Sequence, residues 1–64
     1  MYTIKIIEAE SRKIRKTLAF ASYEWAEREL PIAIARYGFE PIVINGKVTG
    51  HVNFNEGLEL HTNF

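Results

Sequence analysis

One segment, residues 22–37, has the periodicity of a helix, and the residues on both sides of it alternate as they do in strands. At about 100° per residue, most apolar side chains of this segment form one stripe that can pack on a sheet. The members of this core stripe are Tyr23, Ala26, Leu30, Ala33, Ile34 and Tyr37. Ser22 offers its hydroxyl as an N-cap, and Gly38 is the left-handed residue that ends many helices. The sequence therefore predicts a single helix between two β-rich halves.

Two apolar side chains of this helix lie well off the core stripe. Trp25 and Ile32 fall together on the helical wheel, beside Arg28 and Arg36. Exposed pairs of large apolar side chains usually mark a contact surface, so we interpret these four residues as a partner-binding surface. The alternative is that Trp25 packs over the rim of the sheet or under the last residues of the chain, with Phe64 as its companion.

A proline stands inside the helical segment. Pro31 has no amide donor, and its ring clashes with the preceding turn of a helix. The helix either kinks at this residue or divides into two, and a division would change the angle between Trp25 and Ile32.

The first 20 residues predict a hairpin that carries a cluster of cations. Residues 2–8 and 13–20 alternate between apolar and polar side chains, with a polar connection between them. The cluster consists of Arg12, Lys13, Arg15 and Lys16. Such an arm can lie on a phosphate backbone or on a complex loaded with nucleic acid. We favour the other interpretation, in which the cations solvate an edge strand and prevent aggregation.

A second hairpin is predicted after the helix. Asn45 and Gly46 separate two β-rich runs, and this dipeptide is typical of a two-residue type I′ turn. The resulting register places Val43 opposite Val48 and Glu40 opposite His51. The face predicted to lie under the helix consists of Phe39, Pro41, Val43, Val48, Val52 and Phe54.

The other face of this hairpin keeps two isoleucines, Ile42 and Ile44, among polar residues. They form a candidate dimer face. Residues 57–64 alternate weakly, so they form an edge strand, hang free, or pair with a second molecule by strand addition. Residues 1–64 are thus predicted to be a single α+β domain of order ββαββ, with one helix across one face of a mostly antiparallel sheet of four or five strands.

Composition excludes several classes of protein. Eight basic and eight acidic residues give no net charge, which argues against a dedicated nucleic-acid binder. With 47% hydrophobic residues the chain is too apolar for disorder, and no run of residues is apolar for long enough to cross a membrane. The chain has no cysteine, and its first residues do not resemble a signal peptide. We expect a cytoplasmic protein.

The side chains that chemistry requires are sparse. The chain has no aspartate, and Ser11 and Ser22 have no oriented base beside them. Glu59 and His61, even together with His51, are too few for a metal site at this spacing. We therefore expect no enzymatic activity, no metal and no cofactor.

In element order and size, the hairpin of residues 2–20, the helix of residues 22–37 and the hairpin of residues 39–54 resemble small phage-encoded inhibitors. These include some type I anti-CRISPR proteins and phage antitoxins that block host RNA-cleaving toxins. The resemblance implies a protein that occludes a nucleic-acid path or an active site on a larger host complex. It also implies that the four cations of the first hairpin take part in this contact.

The sequence thus predicts a small non-catalytic protein that binds a larger protein or nucleoprotein complex. Two alternatives remain at this point. The chain is a nucleic-acid-binding module that uses the cations of the first hairpin, or it is a structural homodimer. Salt dependence separates the first alternative from the others, because phosphate contacts weaken steeply as salt is added.

Overall fold

A computed structural model describes residues Met1–Phe64 and contains one helix and a five-stranded antiparallel sheet. The elements in chain order are β1 (Tyr2–Glu8), β2 (Ile14–Phe20), α1 (Tyr23–Arg36), β3 (Glu40–Ile44), β4 (Lys47–Asn53) and β5 (Leu58–Asn63). The order of strands across the sheet is β2-β1-β5-β4-β3. The α+β class with a single helix on one face of the sheet is confirmed.

The helix has the predicted ends. The Ser22 hydroxyl accepts a hydrogen bond from the Trp25 amide at 3.1 Å, and Gly38 adopts a φ of 70° just after the helix. Helix α1 is continuous through Pro31, so the proline does not divide it. No helix of this protein combines the length and the apolar character that crossing a membrane would require.

The core lies between α1 and the half of the sheet that contains β2, β1 and β5. Its buried cluster consists of Ile4, Ile6, Phe20, Ala26, Phe39, Leu58 and Leu60. Of the core stripe, Ala26 and Ala33 are buried, and Leu30, Ile34 and Tyr37 are partly buried. Tyr23 is exposed, contrary to the prediction.

Tyr23 belongs instead to an aromatic cluster at the start of the helix. Its ring lies edge-on to Tyr2 and to Phe64, with centroid distances of 5.9 and 6.0 Å. Tyr2 and Phe64 also contact each other edge-on at 6.4 Å. Phe64 therefore packs on the two tyrosines, and the hypothesis that it covers Trp25 is wrong.

The last strand occupies the centre of the sheet. β5 pairs with β1 along its whole length, from Thr3 with Asn63 to Glu8 with Leu58. On its other side it pairs with β4 over only three residues. The predictions of an edge strand, a free tail or an intermolecular strand are therefore wrong, because alternation in a segment does not indicate which strands it will pair with.

The second hairpin has the predicted turn but a shifted register. Asn45 and Gly46 have φ angles of 52° and 76°, as a type I′ turn requires, and Val43 lies opposite Val48. At the next residue of β3 the pairing shifts by one residue, so that Ile42 lies opposite Gly50, because β4 contains a bulge at Thr49.

This shift overturns several predicted positions. Glu40 lies opposite Val52 rather than His51, and every residue of β3 is exposed. Four other residues that were expected under the helix are exposed, because α1 covers only the other half of the sheet. They are Pro41, Val43, Val48 and Phe54. Of that predicted face, Phe39 does join the core. Val52 is buried on the opposite face, in register with Glu59 of β5.

The turn predicts a first mutational effect. Gly46→Val should lower the free energy of unfolding by at least ~1 kcal/mol, since a β-branched residue is strained at positive φ. No atom lies within 4 Å of a Cβ built at this position, so any loss comes from the backbone alone. Gly46→Asn is the matched control, because asparagine tolerates this region. Urea unfolding of both variants measures the difference, and a wild-type midpoint for Gly46→Val would rule out the assigned turn.

Candidate protein-binding surfaces

The side of α1 that borders the edge strand β2 carries the four residues predicted to bind a partner, and Trp25 packs there over the rim of the sheet, as the alternative interpretation expected. We call Trp25, Arg28, Ile32 and Arg36 the Trp25 surface. Trp25 is 50% exposed and Ile32 is 43% exposed. Both values agree with the expectation that these side chains lie off the core stripe, whereas their role in binding stays a prediction.

The indole of Trp25 is held in place from one side. Its ring lies edge-on to Phe20 of β2, with a centroid distance of 5.6 Å. Trp25 nevertheless stays half-exposed to solvent. A side chain that is already fixed loses little conformational entropy when a partner binds.

The two arginines of the Trp25 surface have no ionic partner within the chain. The ion pairs of this protein join Arg12 and His61 to Glu59, and Arg15 to Glu8. Arg28 and Arg36 are exposed and make none of these pairs. Tryptophan and arginine are the residue types most enriched among interface residues that dominate binding energy.

Unlike Arg28 and Arg36, most cations of the first hairpin form ion pairs or hydrogen bonds within the protein. β2 is an edge of the sheet, as predicted, and all four cations are exposed. Arg12 lies 3.1 Å from Glu59, and Arg15 lies 3.5 Å from Glu8. These pairs reduce the positive potential that a phosphate backbone would meet.

Lys16 is also engaged. Its Nζ donates to the Tyr37 hydroxyl at 2.8 Å and lies 5.5 Å from the centre of the tyrosine ring. Of the four cations, Lys13 alone forms neither an ion pair nor a hydrogen bond through its side chain. The contacts of Arg12 and Lys16 were not predicted from the sequence, since Glu59 and Tyr37 lie outside the first hairpin.

The face of the sheet opposite the helix carries a small polar cluster on its central strand. Glu59 accepts a hydrogen bond from Arg12, and its Oε1 lies 2.9 Å from His61 Nε2. The hydrogen bond with His61 lowers the pKa of Glu59, and the Arg12 charge lowers it further. Arg12 reaches this position from a turn in which its φ is 63°. No group of three or more His, Cys, Asp or Glu side chains lies close enough together to hold a metal ion.

These carboxylates predict how stability depends on pH. The pKa of Glu8, bonded to the Ser11 hydroxyl, and that of Glu59 both lie below the ordinary value of 4.5. Because the folded-state pKa values are depressed, both groups contribute stability above about pH 4.5, and this contribution is lost as the pH falls through the folded-state values. Urea unfolding from pH 7 to about pH 3 should show the loss, and Glu59→Gln should reduce it. An unchanged acid limb in Glu59→Gln would contradict the Glu59 contacts.

The candidate dimer residues Ile42 and Ile44 are exposed on this same face and belong to the edge strand β3. In a two-residue hairpin the residues that flank the turn bond to each other, so alternate residues of β3 direct their backbone groups outward. Pro41 occupies one of these outward positions and has no N–H to donate. Pairing between two β3 edges is therefore disfavoured, and a dimer would have to form through the isoleucine face.

The hydroxyls that were considered for catalysis have structural partners. Ser11 donates to Glu8, and Ser22 caps the helix. Comparisons with protein-family models, with curated proteins and with solved structures find no match for this chain. Function must therefore be inferred from the surfaces described above.

Proposed function

We propose that this chain is a small non-catalytic protein that binds a larger protein through the Trp25 surface. The observation that carries this proposal is a half-exposed tryptophan, held against Phe20, on the same side of the helix as two arginines that form no ion pair within the chain. Such a surface fits an apolar pocket for the indole, rimmed by carboxylates that accept from Arg28 and Arg36.

The mode of action that we propose is occlusion. In layout the chain resembles phage-encoded inhibitors that cover a functional surface of a larger host complex. A rigid helix that presents tryptophan and arginine is suited to this task, because it binds without reorganising. No residue of the chain has to act on a substrate in this proposal.

Binding of nucleic acid is the second candidate, and we favour it less. Two of the four cations in the first hairpin are already paired with Glu8 and Glu59. A variant in which all four cations become serine should still fold, since exposed pairs contribute about 0–1 kcal/mol each. If this variant loses a salt-sensitive interaction with nucleic acid that the wild type shows, the first hairpin and not the Trp25 surface is the functional site.

A capture experiment tests the Trp25 surface. The wild-type chain is immobilised, exposed to a cell lysate, and compared with Trp25→Ala. We expect a protein that the wild type retains and that Trp25→Ala loses, because buried aromatic side chains contribute most of the energy of many interfaces. Thermal unfolding of Trp25→Ala, measured alongside, should show a small loss from the missing contact with Phe20.

The matched control is Phe54→Ala. Phe54 is an exposed aromatic residue outside the Trp25 surface, in the connection between β4 and β5. This variant should retain the same protein as the wild type. Equal retention by Trp25→Ala and wild type would refute the proposed surface.

A further inference from the structure

The sheet is split between β4 and β5. Pairing between these strands ends at His51 with Leu60, although both strands continue. Beyond this pair, residues 48–50 of β4 and residues 61–63 of β5 diverge, and a cavity of about 500 Å³ lies between them. We call this gap the fork.

The bulge in β4 provides the physical cause of the fork. A bulge bends its strand and increases the local twist. Thr49, the extra residue, donates its hydroxyl to the Ile42 carbonyl at 3.2 Å and so holds β4 to β3. The end of the second hairpin consequently turns away from β5.

Backbone groups of β5 point into the fork. The Gly57 carbonyl accepts from the Ala9 amide at 2.8 Å, so the odd-numbered residues of β5 direct their backbone groups toward β1. Alternation then directs the N–H and C=O of Thr62 to the opposite side, where β4 has already diverged. Thr62 thus presents a donor and an acceptor that no neighbouring strand of the chain meets.

The facing strand presents a second pair of such groups. Lys47 lies opposite Ile44 across the two-residue turn, so its backbone groups point toward β3. Those of the next residue, Val48, point away from β3 and into the fork. Three residues on each side give the fork a length of about 10 Å, at ~3.3 Å per residue.

The walls of the fork differ in chemistry. On the helix side it is lined by Leu30 and Leu60, and His51 lies beside them. Glu59 and His61 belong to the opposite face of the sheet. Ile42 also lines the fork on that opposite face. An occupant therefore meets the leucines on one face and a mainly polar wall, of Glu59 and His61 with Ile42, on the other.

We propose that the fork binds an extended segment of a partner protein, which inserts as a sixth strand between β4 and β5. An extended backbone has donors and acceptors along both of its edges, so it can form hydrogen bonds with both diverging strands. The inserted residue opposite Thr62 carries an apolar side chain that packs against Leu30. Its two neighbours point to the opposite face and carry polar side chains.

A second copy of this chain is not suited to the fork. Its free edges are β2, which carries Arg15 and Lys16, and β3, which contains Pro41. Both features oppose strand addition. The fork also lies apart from the Trp25 surface, which borders β2 at the other side of the sheet, so the two proposals can fail independently.

Hydrogen exchange of the free protein is the first test. The Thr62 amide should exchange at least tenfold faster than the Leu60 amide, which lies in the three-residue ladder with β4. Equal protection at low protein concentration would show that the fork is closed and would overturn the proposal. Protection of Thr62 that appears only at high concentration would assign the fork to a second copy, and this result would also overturn it.

Selection from a displayed library of random heptapeptides is the second test. Enriched peptides should contain a central apolar residue flanked by polar ones, and their binding should slow the exchange of the Thr62 amide. Backbone N-methylation of Thr62 in a synthetic chain should weaken their binding at least tenfold, because it removes the donor and fills the fork.

The matched control is N-methylation of Val43, whose amide lies on the outer edge of β3. It should leave peptide binding unchanged. Failure to enrich any peptide, or peptides that depend on Val43 and not on Thr62, would overturn the proposal. Loss of peptide binding by Trp25→Ala would place the peptides on the Trp25 surface and would overturn it as well.

Discussion

Deletion of residues 58–64 should abolish folding of the domain. β5 is the one strand that pairs with both hairpins, since it joins β1 on one side and β4 on the other. Without it the sheet separates into two hairpins, and an isolated hairpin is marginally stable at best in water. Circular dichroism and the dispersion of amide signals in an NMR spectrum measure the loss of structure.

Phe64→Ala separates the strand from its terminal aromatic contact. This variant keeps all of β5 and loses the ring contacts with Tyr2 and Tyr23. Such contacts contribute about 0.5–1.5 kcal/mol each beyond area burial, so the variant should be weakened but folded. If the shortened chain instead unfolds cooperatively like the wild type, the central position of β5 is wrong.

Ile4→Ala should lower the free energy of unfolding by ~2–5 kcal/mol. Ile4 is 0% exposed and is the largest fully buried side chain of the protein, so its truncation leaves a cavity in the core. A chain of this length has a total stability of roughly 3–10 kcal/mol, and the variant therefore approaches complete unfolding. Urea unfolding followed by circular dichroism provides the measurement.

Val43→Ala is the matched control for this prediction. The sequence placed Val43 under the helix, whereas the structure leaves it 58% exposed on β3. Its truncation should change the free energy of unfolding by no more than about 0.5 kcal/mol. A loss as large as that of Ile4→Ala would contradict the exposed position of Val43, outside the half of the sheet that α1 covers.

Local features could be predicted from the sequence because their causes are local. Ser22 and Gly38 define the ends of the helix, and Asn45 with Gly46 defines the second turn. Each acts through backbone groups within a few residues of itself. The limits of the first hairpin followed in the same way from the alternation of its residues.

Long-range features could not be predicted in this way. The bulge at Thr49 has no sequence signature, yet it reverses the faces of the residues that follow it in β4. The central position of β5 depends on pairing with a strand 50 to 60 residues earlier in the chain. The pairing of Arg12 with Glu59 depends on that same long-range contact.

The candidate sites likewise divide into those that depend on local sequence and those that depend on long-range contacts. The exposure of Trp25 and Ile32 followed from their angle on the helix alone, and the structure agrees with it. The contacts of Arg12 and Lys16 in the first hairpin could not be predicted in this way, since their partners Glu59 and Tyr37 come from other elements. The fork between β4 and β5 arises only when both strands are placed in one sheet.

Iodide quenching of the single tryptophan tests the proposed contact most directly. The emission of Trp25 is recorded in the free chain and in complex with a protein that the immobilised chain retains. We expect iodide to quench the free chain, because the indole is half-exposed, and we expect the partner to remove most of this quenching. Quenching that is unchanged in the complex, or an indole already protected in the free monomer, would contradict a function based on the Trp25 surface.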